Sequence, residues 1–174
     1  VQTCALPISI EDFFESTDHA AVDRLDLHRY MGTWYEIARF DHRFERGLSE
    51  VTATYTLMPD GTVRVENRGC KHKKPYDVCK TAEGRAKIPD PSQPGKLKVS
   101  FFLSFYSDYY VLELDQDEYN YALIGSSSDK YLWILSRAPI LPEEIKKKLL
   151  DAATRRGYDV KKLIWVEQRE KKIM

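Results

Sequence analysis

VTATYTLMPDGTVRVENRG, residues 51–69, decides the fold class. Val51, Ala53, Tyr55 and Leu57 alternate with Thr52, Thr54 and Thr56, and a period of two puts the two sets on opposite faces of a strand. Pro59-Asp60-Gly61 is a strong turn signal. It joins the first run to a second, residues 62–69, as a hairpin. β-branched and aromatic residues suit such a pleated, half-buried surface.

Outward from this hairpin, short β-like runs between turn signals extend over residues 32–136, the all-β spacing pattern. Residues 33–40 precede it and residues 81–88 follow. The breaker Pro89-Asp90-Pro91-Ser92-Gln93-Pro94-Gly95 leads into residues 96–103, where Leu97, Val99 and Phe101 alternate with Lys96, Lys98 and Ser100. Residues 109–114, 119–125 and 131–137 bring the runs to eight. Eight antiparallel strands that close on themselves leave no sheet edge exposed. A barrel of that size is filled by side chains or holds one small ligand. The expected fold is all-β, an eight-stranded antiparallel up-and-down β-barrel.

The period then changes. Pro142 suits a first helical turn, and Glu143 and Glu144 complement a helix N-terminus. Ile145, Leu149, Leu150 and Ala153 fall at helical spacing, and Arg155-Arg156-Gly157 is a good stop. This predicts a C-terminal α-helix packed by one apolar stripe outside the barrel, with Lys146, Lys147 and Lys148 on its solvated face. A short final strand over residues 163–167 follows.

The bulk numbers agree with one domain: 174 residues, 43% apolar and 31% charged. Twenty-seven basic and 27 acidic residues cancel, so no general attraction to nucleic acid is expected. No apolar run approaches the roughly 18 residues of a membrane helix. Residues 1–8, VQTCALPI, match the translation of a common sequencing-library adapter and are set aside as non-native. On that reading Cys4 is no acylation site, since Val1-Gln2-Thr3 makes a poor lipobox, and the native N-terminus with any secretion signal lies upstream. The chain divides into an N-terminal segment (1–26), the barrel with its helix (27–168) and a tail (169–174). Cys70 and Cys79 flank a turn-like stretch containing Pro75. They read either as a disulfide across a hairpin loop, formed in an oxidising compartment, or as two free thiols.

Three further motifs occur in order. Gly32-Thr33-Trp34-Tyr35-Glu36-Ile37-Ala38-Arg39 resembles the first lipocalin signature, Gly-x-Trp at the start of the first strand. Asp117-Glu118-Tyr119-Asn120-Tyr121-Ala122 resembles the second, and Leu132-Trp133-Ile134-Leu135-Ser136-Arg137 the third. The chain is similar to the lipocalin family over residues 27–168, and within it to the bacterial lipocalin and apolipoprotein D branch. Independently, Trp34 is large enough to plug the narrow end of a barrel. The resemblance lays Arg137 across that indole as a lid, so Gly32, Trp34 and Arg137 close the base. It also implies ligand contacts from Tyr55, Asn67, Phe101 and Trp133. Glu36 shares a face with Trp34, and Tyr109 is expected to approach the mouth.

The mouth is expected from the loops at residues 41–50, 70–79, 103–108 and 126–130. Lys71, His72, Lys73 and Lys74 on one loop, with Phe102, Phe105 and Tyr106 near another, suit an anionic headgroup or a membrane surface. The resemblance implies a fatty acid or lysophospholipid ligand, and storage or transport at the bacterial cell envelope, in periplasm or outer membrane. Two other classes compete: a lipocalin-type isomerase, or an interaction or structural envelope protein with an incidental cavity. Against catalysis, neither Cys70 nor Cys79 falls at mid-strand, and no Gly-x-Ser-x-Gly or P-loop occurs. His19, His28, His42 and His72 lack metal-ligand spacing. No cofactor or metal is expected, and the pattern is silent on oligomeric state.

Overall fold

The computed structural model describes residues 16–102 and 105–169. The readings of residues 1–8 and of Cys4 therefore fall outside the described residues. A short helix α1 (Leu27–Tyr30) leads into nine strands and a second helix. The strands are β1 (Gly32–Phe40), β2 (Ser49–Leu57), β3 (Val63–Lys71), β4 (Val78–Lys87) and β5 (Lys96–Phe102). They continue with β6 (Phe105–Leu114), β7 (Tyr121–Gly125) and β8 (Leu132–Ser136). Helix α2 (Glu143–Arg155), a 3₁₀ turn (Val160–Lys162) and β9 (Leu163–Trp165) complete the chain.

Each of the strands β2 to β7 pairs antiparallel with the next. β1 closes the barrel: Gly32 to Tyr35 pair with β2, and Tyr35 to Arg39 with β8. β9 then takes up Ala38 to Phe40 on the edge of β1 that β2 leaves free. The hairpin of the opening sequence forms in register, with Tyr55 opposite Val65. Its turn is built by Gly61 at φ +85° and by Asp60, whose carboxylate accepts from the backbone and hydroxyl of Thr62. The left-handed backbone at Gly61 costs a glycine nothing in sterics.

Two apolar layers result. Trp34, Tyr55, Val65, Val99, Ile124 and Leu135 point into the barrel. Leu112, Leu123, Leu132 and Ile134 point out and are covered by Leu149 and Ala153 of α2, with Ile145 and Leu150 at the margin. The apolar stripe read from helical spacing is therefore the face that packs. On its far side Lys147 pairs with Asp151 at 2.8 Å, while Lys148 donates to the Tyr121 hydroxyl at 3.0 Å.

Several boundaries differ from the sequence reading: β4 starts at Val78 and not at 81, so Cys79 lies within a strand. β6 starts at Phe105 and not near 109, because Lys98 and Asp108 stand opposite each other and form an ion pair at 2.5 Å. The third mouth loop is correspondingly shorter. Tyr119 lies before β7 and not within it, at φ +55°. It is held there by Arg29, whose guanidinium sits 4.2 Å over its ring, and by the Asp26 amide, which donates to its hydroxyl at 3.0 Å. Residues 16–26 do not stand apart from the barrel: the Val22 amide donates to the Val111 carbonyl, and Val22 and Leu25 pack on the inner cluster.

Candidate functional site

One end of the barrel is sealed. Trp34 is fully buried, and its indole N–H donates to the Tyr30 carbonyl at 2.9 Å. The Arg137 guanidinium lies 3.9 Å from the centre of the indole. It also donates to the carbonyls of Arg29 (2.7 Å), Thr33 (3.2 Å) and Tyr119 (3.2 Å). Gly32 makes this approach possible: at φ +97°, a Cβ there would sit 3.3 Å from an Arg137 nitrogen. Partial burial pulls the Arg137 pKa below its ordinary value, against the influence of nearby phenols.

Above this floor three phenols converge. The Tyr109 hydroxyl is 2.5 Å from that of Tyr30 and 2.9 Å from that of Tyr55. Burial raises the pKa of all three, so they are neutral hydrogen-bonding groups. Tyr109 is thus placed deep in the barrel, against α1, and not at the mouth. The cause is its register: it stands opposite Leu97, an inward residue near the start of β5.

The other end is polar. A bulge in β1 between Glu36 and Ala38 turns Ala38 out toward the helix and Arg39 inward. Arg39, 1% exposed, donates to Glu36 Oε1 at 3.0 Å and to the carbonyls of Glu45 (2.7 Å) and Leu48 (3.2 Å). It thereby pins the β1–β2 loop over the barrel. Glu45 Oε1 accepts from the Trp133 indole at 3.2 Å and lies 3.0 Å from His42 Nε2. The His42 ring stands edge-on to Trp133, and Tyr131 stacks beside it. Burial, then the charge of Glu45, pushes the Glu36 pKa well up, although Arg39 opposes this. Burial also pushes Glu45 up, but its hydrogen bond to His42 and the charge of Arg39 help to bring the net pKa down. Glu36 therefore keeps its proton and Glu45 carries the charge. Among the described residues, Arg39 Nε, His42 Nδ1 and Glu45 Oε2 are buried without a hydrogen-bond partner. Arg39, His42 and Glu45 were not singled out from the sequence, because only the bulge and the loop turn them inward.

A barrel sealed below and polar above is matched by the family comparison: the lipocalin-like domain matches residues 25–168. The chain belongs to the lipocalin-like family. It is 50% identical over 147 residues to the outer membrane lipoprotein Blc of Citrobacter freundii, covering 84% of this chain and 81% of that protein. To temperature-induced lipocalin-1 of Arabidopsis thaliana it is 42% identical over 158 residues, covering 86% and 82%. Mouse apolipoprotein D is further away, at 34% over 154 residues, covering 84% and 78%. Among solved structures, insecticyanin of Manduca sexta superposes with a TM-score of 0.71 at 23% identity, over 89% of this chain and 87% of that one. This last likeness concerns the fold alone.

Asn67, Phe101 and Trp133 occupy inward positions of their strands. Asn67 is two residues beyond the inward Val65, and it stands opposite Ala53, which packs on the inner cluster. Phe101 lies two beyond Val99, with its ring against Gly84, where a Cβ would meet the ring at 2.8 Å. Phe101 and Trp133 are inward yet not sealed from water.

At the rim, Cys70 and Cys79 face each other across β3 and β4 and are joined by a disulfide. Beyond it, ligand atoms of Glu50, His72 and Asp77 come within 4.8 Å of one another. Arg169 already supplies a cation there, 3.0 Å from His72 Nδ1 and 3.2 Å from Asp77. The loop tips expose Phe44 (65%) and Tyr76 (79%) beside Arg43 and Lys71 to Lys74. Tyr106 points outward under Lys87, whose ammonium is 4.3 Å from its ring centre. The expectation for the Phe102 and Phe105 side chains falls outside the described residues.

Proposed function

We propose that this lipocalin-like protein binds a small hydrophobic amphiphile, a fatty acid or lysophospholipid, in its barrel and stores or transports it at the bacterial cell envelope. The observation that carries this reading is the asymmetry of the barrel. Trp34 and Arg137 seal one end, while inward Phe101 and Trp133 remain accessible at the other. Apolar walls between a closed floor and a polar mouth suit a chain lying inside with its headgroup near Arg39, Glu45 and Trp133. Tyr55 and Tyr109 would meet its deep end, with Glu36, Asn67 and Phe101 along its sides. The envelope location is supported by the names of the Blc lipoproteins to which the chain is half identical.

The energetics are adequate without a catalytic group. Burying a CH₂ is worth about 0.8 kcal/mol, so a sixteen-carbon tail offers roughly 12 kcal/mol gross. Association costs about 4–15 kcal/mol, so at the low end of that cost about 8 kcal/mol remains, which is micromolar binding. Binding, and not turnover, is therefore the proposed activity. Phe44 and Tyr76, exposed among basic residues, would touch a membrane surface when ligand is exchanged.

Native mass spectrometry of the purified protein, followed by lipid extraction, tests this. A one-to-one complex with a fatty acid or lysophospholipid is expected. A protein that stays free of lipid after incubation with both would refute the carrier reading.

A further inference from the structure

The phenol triad carries a consequence for the chemistry of the ligand. Tyr30, Tyr55 and Tyr109 come from α1, β2 and β6 and meet at one point inside the barrel. Each phenol has one O–H donor and two lone pairs. Three donors and two hydrogen bonds leave one O–H over, however the protons are arranged. Among the described residues, no other group accepts from these hydroxyls. Tyr30 and Tyr55 are 1% and 6% exposed, and Tyr109 is half-buried. Buried donors are normally paired.

We propose that this triad is a subsite for a neutral, hydrogen-bond-accepting oxygen on the deep part of the ligand. The amphiphile would then carry a hydroxyl or keto group on its acyl chain. The proposal rests on the carrier reading above. Neutrality follows from the surroundings: the nearest described cation, Arg137, already donates to three backbone carbonyls. A charge brought to this depth would lose its water and find no free counterion. The chain, and not the headgroup, supplies the oxygen because Arg39 and Glu45 place the charged groups at the opposite end. A chain hydroxyl fits both ways, accepting the leftover O–H and donating to a phenol lone pair.

The test compares ω-hydroxyhexadecanoic acid with hexadecanoic acid, by titration calorimetry on the full chain. In a wholly apolar pocket a buried terminal hydroxyl weakens binding about tenfold or more. Here the hydroxy acid should bind at least as tightly as the plain acid. The triple variant Y30F/Y55F/Y109F keeps the ring shapes and removes every donor. In it the hydroxy acid should lose about tenfold relative to the plain acid. If that variant does not fold, the wild-type ratio still decides. A hydroxy acid tenfold weaker than the plain acid in wild type would overturn the subsite while leaving the carrier reading intact. An equal loss for both acids in the triple variant would put the carboxyl at the phenols and overturn the chain-borne source. Failure of both acids to bind wild type would end both readings.

Discussion

The Arg137 guanidinium lies 3.9 Å over the Trp34 indole while donating to the carbonyls of Arg29, Thr33 and Tyr119. One side chain thus ties α1, the start of β1 and the β6–β7 turn to the barrel floor. Arg137→Ala removes a cation–π contact and leaves three carbonyls to water, at a cost of about 2–4 kcal/mol. The melting temperature should fall by several degrees, with lipid affinity changed less than threefold. A large affinity loss at unchanged melting temperature would contradict the lid role. Arg137→Lys should recover only part of the stability, since an ammonium cannot stack and fork at once.

Trp133 faces into the barrel at its polar end, with its indole held by Glu45 at 3.2 Å. Trp133→Ala removes an aromatic wall and should weaken fatty-acid binding about ten- to a hundredfold. The circular dichroism of the barrel should be preserved. Equal affinities in calorimetry would show that the indole is not a ligand contact.

Glu36 keeps its proton well above the ordinary carboxyl range because burial and the charge of Glu45 outweigh Arg39. A free glutamate in the unfolded chain titrates near 4.5. Between that value and the raised folded pKa the native state holds more protons than the unfolded one. Stability therefore falls as pH rises through this window. Glu36→Gln cannot ionise and retains an acceptor for Arg39. Its melting temperature should overtake that of the wild type as pH rises above 5. Parallel melting curves across pH 5–8 would show that Glu36 is ionised in the fold.

Gly84 leaves room for Phe101. A Cβ at 84 would lie 2.6 Å from the Ser100 carbonyl oxygen and 2.8 Å from the Phe101 ring. Gly84→Ala should cost about 1–3 kcal/mol through this overpacking and shift the Phe101 ring in the hollow. The urea midpoint reports the first effect and ligand affinity the second. An unchanged midpoint would mean that β4 and β5 separate there at little cost.

The resemblance of the three motifs implied the Trp34–Arg137 floor, and the sequence by itself determined the barrel and the outer helix. These rest on local alternation, turn residues and a change of period, and each can be seen within a few neighbouring residues. The same resemblance implied that Tyr55, Asn67, Phe101 and Trp133 face inward, and alternation put Glu36 on the face of Trp34. Only the tertiary structure decided what an irregularity or a long-range meeting controls. The β1 bulge carries Arg39 inward against the alternation, since a one-residue slip flips every later side chain to the other face. Strand register, and not composition, sinks Tyr109 to the floor beside Tyr30 and Tyr55. Glu45 reaches Trp133 across 88 positions of chain, a contact that exists only because the sheet closes.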